Sequence, residues 1–507
     1  MNDKTLIAFN TGILYIKLII TTILSLFSTR ILLEALGQID FGVSALVSSV
    51  IAMLAFLSAS LTVSTQRYMS FHLGKNDISI QKTVFTTSFL LHLFIGIIIV
   101  GLLLSASPLI FSVINIPDTR LSAAKFIYYC TIGSTFFVII TIPYDAILNA
   151  HENMVTVAIV NIIEASLRLC GVWILLYVAT DKLIIYGAVL LLVQFVSSLI
   201  KTTYCRIKYS ETIVKKQYLK KKMMKELLSF SVWNSVGAIA VVGRLQGIAI
   251  IINIFVGVIG NTAYGIANQV SGLLNTVSSY LQKAMNPQIM KQEGAGFHDL
   301  MTLLALNQCK YTFILLMALG LPILYVLQPL LTMWLGEFPL EALIFCKLMI
   351  IIALVKQLGT GLQVAIQAVG NIKAYQLTAS FIILSSLALA YYLLYLNMPA
   401  YYALVAILVV EGILLFVRPW FAYKYAGISS LLYMKQVIIP TIGLSINSVA
   451  CTYLLYILLK PTTFMMSILF IILGFIITTL SYIPFMNKSE KQFARSLLSS
   501  IFNKINL

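Results

Sequence analysis

Charge is what this chain has least of: 10% of its 507 residues are Asp, Glu, Lys or Arg, against 60% that are hydrophobic. A soluble domain carries roughly 25% charged residues, so an ordinary soluble enzyme or binding module is excluded. Acidic residues are scarcer still, 17 against 34 Lys and Arg, for a formal charge of +17. In a soluble protein that excess would suggest nucleic acid as a partner; in so apolar a chain, membrane topology and anionic headgroups account for it better. The six cysteines (130, 170, 205, 309, 346, 451) stand in or beside apolar runs without C-x-x-C spacing. They read as small core residues, which excludes a disulfide framework and a thiolate metal site. The four histidines (72, 92, 151, 298) have no ligand spacing either. With no nucleophile motif, phosphate-cradling loop or metal constellation, the chain does not read as an enzyme, and no cofactor or metal is expected.

What the chain has in abundance is apolar runs long enough to cross about 30 Å of hydrocarbon. We count fourteen, and the expected fold is all-α: a polytopic membrane protein of two pseudo-symmetric six-helix lobes with two extra C-terminal helices. One long polar segment interrupts the pattern, KTTYCRIKYSETIVKKQYLKKKMMK at 201–225. So dense a basic cluster stays on the cytoplasmic side under the positive-inside rule, and it orients every other span. An even number of spans then puts both termini in the cytoplasm. The expected organisation is an N-terminal lobe (1–205), a basic linker (206–225), a C-terminal lobe (226–424), accessory spans (425–486) and a tail (487–507). The opening MNDKTLIAF lacks a small-residue cleavage site, so the first span is expected to be uncleaved. In the tail, Phe493, Leu497, Leu498, Ile501, Phe502 and Ile505 share one helical face, which suits a helix lying on the inner membrane surface. Outer loops are short, leaving no room for the catalytic domain that a polytopic polymerase or glycosyltransferase would need there.

The two halves resemble each other. AILNAHENM (146–154) aligns with VAIQAVGNI (364–372), and DFGVSALVSSV (40–50) with TAYGIANQVSG (262–272). Six spans per repeat keep both copies in one orientation, so the expected lobes are related by an axis along the membrane normal, a common transporter plan.

Lys17, Arg30, Arg168, Arg244, Lys310 and Lys356 lie inside expected spans. Each costs about 2.5 to 3.5 kcal/mol at a helix centre, so most must face water or a partner. The expectation is a wet, cationic interior. Arg30 near a span end can equally snorkel to the headgroups. Intramembrane acids are few: Asp145, Glu164 and Glu411. Glu164 and Arg168 are spaced i,i+4 and can pair on their own helix; Asp145 and Glu164 are also the candidates for ion coupling. Gln246, Asn253, Asn268, Gln269 and Asn275 make the opening spans of the second half polar. Such groups suit either sugar hydroxyls or bonding between helices.

STRILLEALGQIDFGVSALVSSV (28–50) followed by STQRYMSFHLGKND (64–77) resembles the opening of the Wzx-type polysaccharide flippases. These belong to the superfamily that also holds the lipid II flippases and the multidrug and toxin extrusion transporters. The resemblance is carried by Thr29, Arg30, Leu36, Gly37, Asp40, Phe41 and Gly42, then by Thr65, Gln66, Arg67, Gly74 and Lys75. It implies a flippase of a bacterial inner membrane that moves an undecaprenyl-diphosphate-linked oligosaccharide to the outer leaflet by alternating access, for O-antigen, capsule or exopolysaccharide assembly. Membrane lipids and other polysaccharide-assembly proteins are the partners it implies. Arg67 joins the cationic candidates on this basis. The alternatives are a cation-coupled multidrug exporter of the same superfamily, a membrane-embedded polymerase or glycosyltransferase, and a non-transporting scaffold.

Overall fold

A computed structural model describes residues 3–52, 55–113, 117–461, 463–486 and 490–492. The described chain is helical, with no strand. Its helices are α1 (Asp3–Ala52), α2 (Ala55–Gly74), α3 (Ile78–Val113), α4 (Leu121–Ala150), α5 (Met154–Ile174) and α6 (Lys182–Lys208) in the first half. They continue as α7 (Lys221–Val256), α8 (Val258–Gly294), α9 (His298–Tyr325), α10 (Leu327–Leu335), α11 (Glu341–Gln357) and α12 (Thr360–Val369). The last five are α13 (Lys373–Tyr395), α14 (Tyr402–Ala426), α15 (Ser430–Tyr433), α16 (Ile439–Leu459) and α17 (Phe464–Leu480).

Among the described residues, eleven helices are long and apolar enough to cross a membrane, and α11 with α12, bent by 40° between them, make a twelfth if the pair is counted as one span. The two remaining spans expected from the sequence, 41–71 and 260–288, correspond to α2 with the end of α1 and to α8. Of these α8 is too polar to meet the same test of hydropathy, while the 41–71 span includes residues 53 and 54, which lie outside the described residues. The break between the first two expected spans is a single residue, Gly37, whose φ of 71° and ψ of 173° interrupt α1. A positive φ is open to glycine at no steric cost. The tail face from Phe493 to Ile505 lies outside the described residues.

The chain divides into two compact units. Unit 1 comprises 1–239 together with 283–301 and 367–377; unit 2 comprises 240–282, 302–366 and 378–507. Each has its own apolar core, built in unit 1 around Ile127, Tyr128, Ile132, Val172 and Leu183, and in unit 2 around Ile252, Ala263, Phe345, Cys346 and Leu404.

Unit 1 is closed at its two ends by different chemistry. At the end carrying the basic segment, first-half helices pack on short second-half segments. A Cβ on Gly74 would sit 2.0 Å from the Lys291 carbonyl oxygen, and one on Gly294 would sit 1.9 Å from that of Phe71. The crossing of α2 and α8 therefore requires glycine on both helices. Arg67 donates from Nε and Nη2 to the Ala368 carbonyl at 3.2 and 2.9 Å, and from Nη2 to that of Val369 at 3.1 Å. Its guanidinium lies over the rings of Tyr68, Phe71 and Phe230. Glu152, at the α4–α5 turn, accepts from Gln288 and faces Lys291, while its carbonyl takes the Asn10 amide at 3.1 Å. In the following segment Glu211 binds His151. Burial alone would raise the Glu211 carboxyl, but the His151 hydrogen bond and its own backbone amide hold it below its ordinary value.

At the opposite end, Arg120 grips two carboxylates at once. It binds Asp40 through Nε at 2.7 Å and Nη2 at 2.5 Å, and Asp181 through Nη1 at 2.8 Å and Nη2 at 2.9 Å. Asp181 also caps α6 by accepting from the Leu183 amide. Paired forks of this kind are among the strongest side-chain contacts.

Candidate functional site

Unit 1 contains a cavity of about 510 Å³ between α1 and α5, lined by Lys17, Thr21, Thr22, Ser25, Leu26 and Ser28 from α1 and by Asn161, Glu164, Ala165 and Arg168 from α5. The α5 residues follow the i, i+3, i+4, i+7 rule of one helical face, and Lys17, Thr21, Ser25 and Ser28 stack along one face of α1 in the same way. Two helix faces that are polar where a membrane helix should be apolar thus meet. A volume of this size lies in the range of small-molecule sites, roughly 300–1,000 Å³.

The polar groups are arranged around a positive centre. Glu164 is held by Arg168 at 3.4 Å and by the Ser197 hydroxyl at 3.0 Å. Asp145 pairs with Lys201 at 2.9 Å. Lys17 lies within electrostatic reach of Lys201, Lys283, Asp145 and Glu164. Four cations, Lys17, Arg168, Lys201 and Lys283, therefore stand with two carboxylates. Cations in this setting are of the kind that can hold an anion, and the hydroxyls of Thr22, Ser25 and Ser28 with the Asn161 amide can hydrogen-bond a polyhydroxylated ligand.

A second ionic cluster lies inside unit 2. Glu411 on α14, 1% exposed, receives Arg244 of α7 at 2.9 Å and Arg418 of its own helix at 3.2 Å. Lys356, in the last turn of α11, faces the same three groups electrostatically. Lys310 is buried against Glu490, which also accepts hydrogen bonds from Tyr311 and Tyr482 at 2.9 Å each.

The structure thus brings together Lys17, Arg168 and Glu164, with Asp145 joined through Lys201. Arg67 is committed to backbone carbonyls and Lys310 to Glu490, and neither lines this cavity. Arg30 is exposed on α1, as are Gln246, Asn253 and Gln269 on their helices. Asn268 is half-buried beside Tyr264, and Asn275 bonds within α8 to the Ser271 carbonyl and hydroxyl. Lys201, Lys283 and Arg418 were missing from the sequence candidates. Lys201 reads as the start of the basic loop, but α6 runs on to Lys208 and carries it inside. Lys283 and Arg418 fall in runs expected to span, so the cost criterion that picked out Lys17 applies to them equally.

The fold is similar to that of known transporters. An outward-facing multidrug-resistance transporter of the MATE family, in the MOP superfamily, matches with a TM-score of 0.75 over 85% of this chain and 97% of its own, at 14% identity. A MOP-superfamily transporter from Pyrococcus furiosus, described as having a binding pocket of reversed polarity, matches with a TM-score of 0.72 over 84% of this chain and 96% of its own, also at 14% identity. Such identities speak for the fold. No curated protein matches the chain. The model of the polysaccharide biosynthesis protein family matches residues 7–289, more than half of the sequence, and the chain belongs to that family. Both findings agree with the resemblance carried by the N-terminal motifs.

Proposed function

We propose that this protein is a flippase of a bacterial inner membrane, moving an undecaprenyl-diphosphate-linked oligosaccharide from the cytoplasmic to the periplasmic leaflet. The observation that carries the reading is the cavity of unit 1, in which Lys17 and Arg168 stand among hydroxyl and amide donors on two adjacent helix faces. A diphosphate leaving water needs cations to replace its hydration, and guanidinium offers it bidentate contacts. Sugar hydroxyls need the donors and acceptors that Ser25, Ser28 and Asn161 supply. The lipid tail stays in hydrocarbon while the head group passes. Membership of a polysaccharide biosynthesis family supports the same substrate class.

In this reading both termini and the 209–220 segment are cytoplasmic, and the packing around Arg67 and Gly74 is a cytoplasmic gate that opens and closes in an alternating-access cycle. Asp145 and Glu164 are occupied by cations, so any coupling ion must compete with Lys201 or Arg168. The second reading, a multidrug exporter, rests on the likeness to MATE transporters. Its usual cationic cargo would meet a cavity of the same sign.

The test is a strain deleted for this gene and complemented with wild type, Lys17→Ala or Arg168→Ala. Wild type restores surface polysaccharide. The variants are expected to insert normally, to lose most surface polysaccharide, and to accumulate complete lipid-linked oligosaccharide on the inner leaflet. Unchanged surface polysaccharide in the deletion itself, with reduced efflux of a cationic dye, would favour the exporter.

A further inference from the structure

Unit 2 contains a cavity of about 600 Å³ that the transport reading does not use. It lies where four helices reach the ends of their membrane-spanning runs: α7 and α13 finish there, and α11 and α14 begin. Phe255 near the end of α7, Phe345 in the second turn of α11 and Tyr401 just before α14 line it with three aromatic rings. The α13–α14 turn completes the wall and is closed by its own backbone, the Asn397 amide donating to the Leu394 carbonyl and the Tyr402 amide to that of Pro399, each at 3.0 Å. Asn397 takes a positive φ of 60° after the helix end, a conformation that asparagine adopts more readily than most residues. Ring contacts fix the rest: Phe255 meets Tyr391 edge-on with centroids 5.2 Å apart, and Tyr401 stacks on Tyr402 at 4.9 Å. A cavity of this size with such walls is preformed.

Its sign is the reverse of that in unit 1. Glu341, in the first turn of α11, is the one charged residue on the described wall, and it enters no ion pair among the described residues. In a chain with twice as many basic as acidic residues, a wall with a carboxylate and no Lys or Arg suits a cation. Aromatic faces favour the same sign, because the ring quadrupole attracts an ammonium group. The route into the cavity narrows the choice further. Leu340, Ile344 and Met398 on its wall are exposed, as are Tyr391 and Tyr395 beside it. At the ends of membrane-spanning helices, exposed apolar and tyrosine side chains meet lipid where hydrocarbon gives way to head groups. A cation that arrives along such a surface is the head of an amphiphile.

We infer that unit 2 holds a phospholipid with a primary ammonium head group, of the phosphatidylethanolamine type, its ammonium against Glu341 and the rings of Phe255 and Tyr401. The acyl chains run along the exposed apolar residues, and the Asn397 amide can donate to the lipid phosphate. An anionic phospholipid, or a polyprenyl diphosphate, would bring negative charge to a carboxylate with no cation on the described wall, so the site is separate from that of the transported head group. The bound lipid ties together the ends of α7, α11, α13 and α14, at the end of α7 remote from the basic segment. The inference rests on the membrane-spanning fold and is independent of which substrate is moved.

The experiment uses the full-length protein, exchanged into an equal mixture of phosphatidylethanolamine and phosphatidylglycerol and released for native mass spectrometry. A lipid is expected to stay bound, with a preference for the ethanolamine lipid of about five-fold, the equivalent of about 1 kcal/mol for a cation at partly exposed rings. Glu341→Gln is expected to abolish that preference and Tyr401→Ala to weaken it, while Glu34→Gln, which removes an exposed carboxylate from α1, leaves it unchanged. A carboxylate in the first turn also stabilises its own helix; that role by itself would lower the melting temperature equally in either lipid and leave the preference intact, which overturns the inference. Should the variants fail to fold, a photoreactive ethanolamine phospholipid on the wild type decides the matter, with labelling expected in 340–345 and 397–401. Equal retention of the two lipids by the wild type, or labelling that spares both segments, overturns the inference. So does stabilisation of the lipid-depleted protein by soluble ethanolamine or tetramethylammonium as great as that by the lipid, which would assign the cavity to a soluble organic cation.

Discussion

Truncating Arg67 to alanine removes several bonds at one point of unit 1. Its guanidinium makes three hydrogen bonds to two carbonyls and lies 4.6 to 5.3 Å from three ring centroids. A buried carbonyl left without a donor costs about 1–3 kcal/mol. The space vacated by an arginine admits water, which favours the low end, about 1 kcal/mol for each of Ala368 and Val369. Loss of the cation–ring contacts adds about 1 kcal/mol. The sum, about 3 kcal/mol, corresponds to roughly a 150-fold shift between the packed and open forms of this end. Hydrogen exchange of the 367–377 segment reads that shift directly and should accelerate strongly in Arg67→Ala, together with a lower melting temperature. Arg67→Lys keeps the charge but loses the fork that spans two carbonyls, so it should fall between the two. Wild-type exchange and an unchanged melting temperature in Arg67→Ala would refute the reasoning, because the carbonyls of Ala368 and Val369 would then have other donors.

The remaining expectations concern packing, pH and the second buried pair. Gly74→Ala puts a methyl within 2.0 Å of a backbone oxygen on α8, so the helices must separate; a loss of about 1–3 kcal/mol, the usual cost of overpacking, is expected in denaturant unfolding, and a neutral result would mean that the crossing is looser than the structure has it. Asp181 is held below its ordinary carboxylate pKa chiefly by the Arg120 hydrogen bond. Its contribution to stability is therefore full above the unfolded value near 4 and fades as pH falls through the lower folded value. Acid unfolding of Asp181→Asn should converge with wild type below that range and lag behind it at neutral pH; a constant difference at all pH values would contradict the linkage. Lys310→Met takes the Lys310 ammonium from the buried Glu490, an expected loss of about 3–5 kcal/mol, whereas Lys310→Met with Glu490→Gln should recover most of it. Additive losses in that double-mutant cycle would show that the two side chains act separately.

Much of the plan was legible along the chain because it depends on local composition. A run of apolar residues spans or does not according to its own length, so the helical class follows from sequence, and twelve of the fourteen expected spans form helices long and apolar enough to cross a membrane when α11 and α12 are counted as one. The polarity of α8 was legible too, since it carries Asn261, Asn268, Gln269 and Asn275 where a lipid-facing helix would carry Leu. Gly37 stood in the motif that carried the family resemblance, and its positive φ gives the physical reason for a glycine there. Asp40, from the same motif, proves to be half of a two-carboxylate grip on Arg120.

What only the tertiary structure decided is which charges are compensated. The cost of a buried lysine can be read from its neighbours in sequence, but its partner cannot: Arg120 finds Asp40 across 80 positions, and Arg244 finds Glu411 across 167. Electrostatic interactions fall with distance in space and are indifferent to separation along the chain. So Lys310 and Lys17, equally conspicuous in sequence, diverge in the fold: one is neutralised by Glu490 beside two tyrosines, the other lines a polar cavity with Arg168. Sequence determined that this membrane protein has to house an excess of positive charge; the packing of its helices decided which of those charges meet a buried carboxylate and which line a cavity.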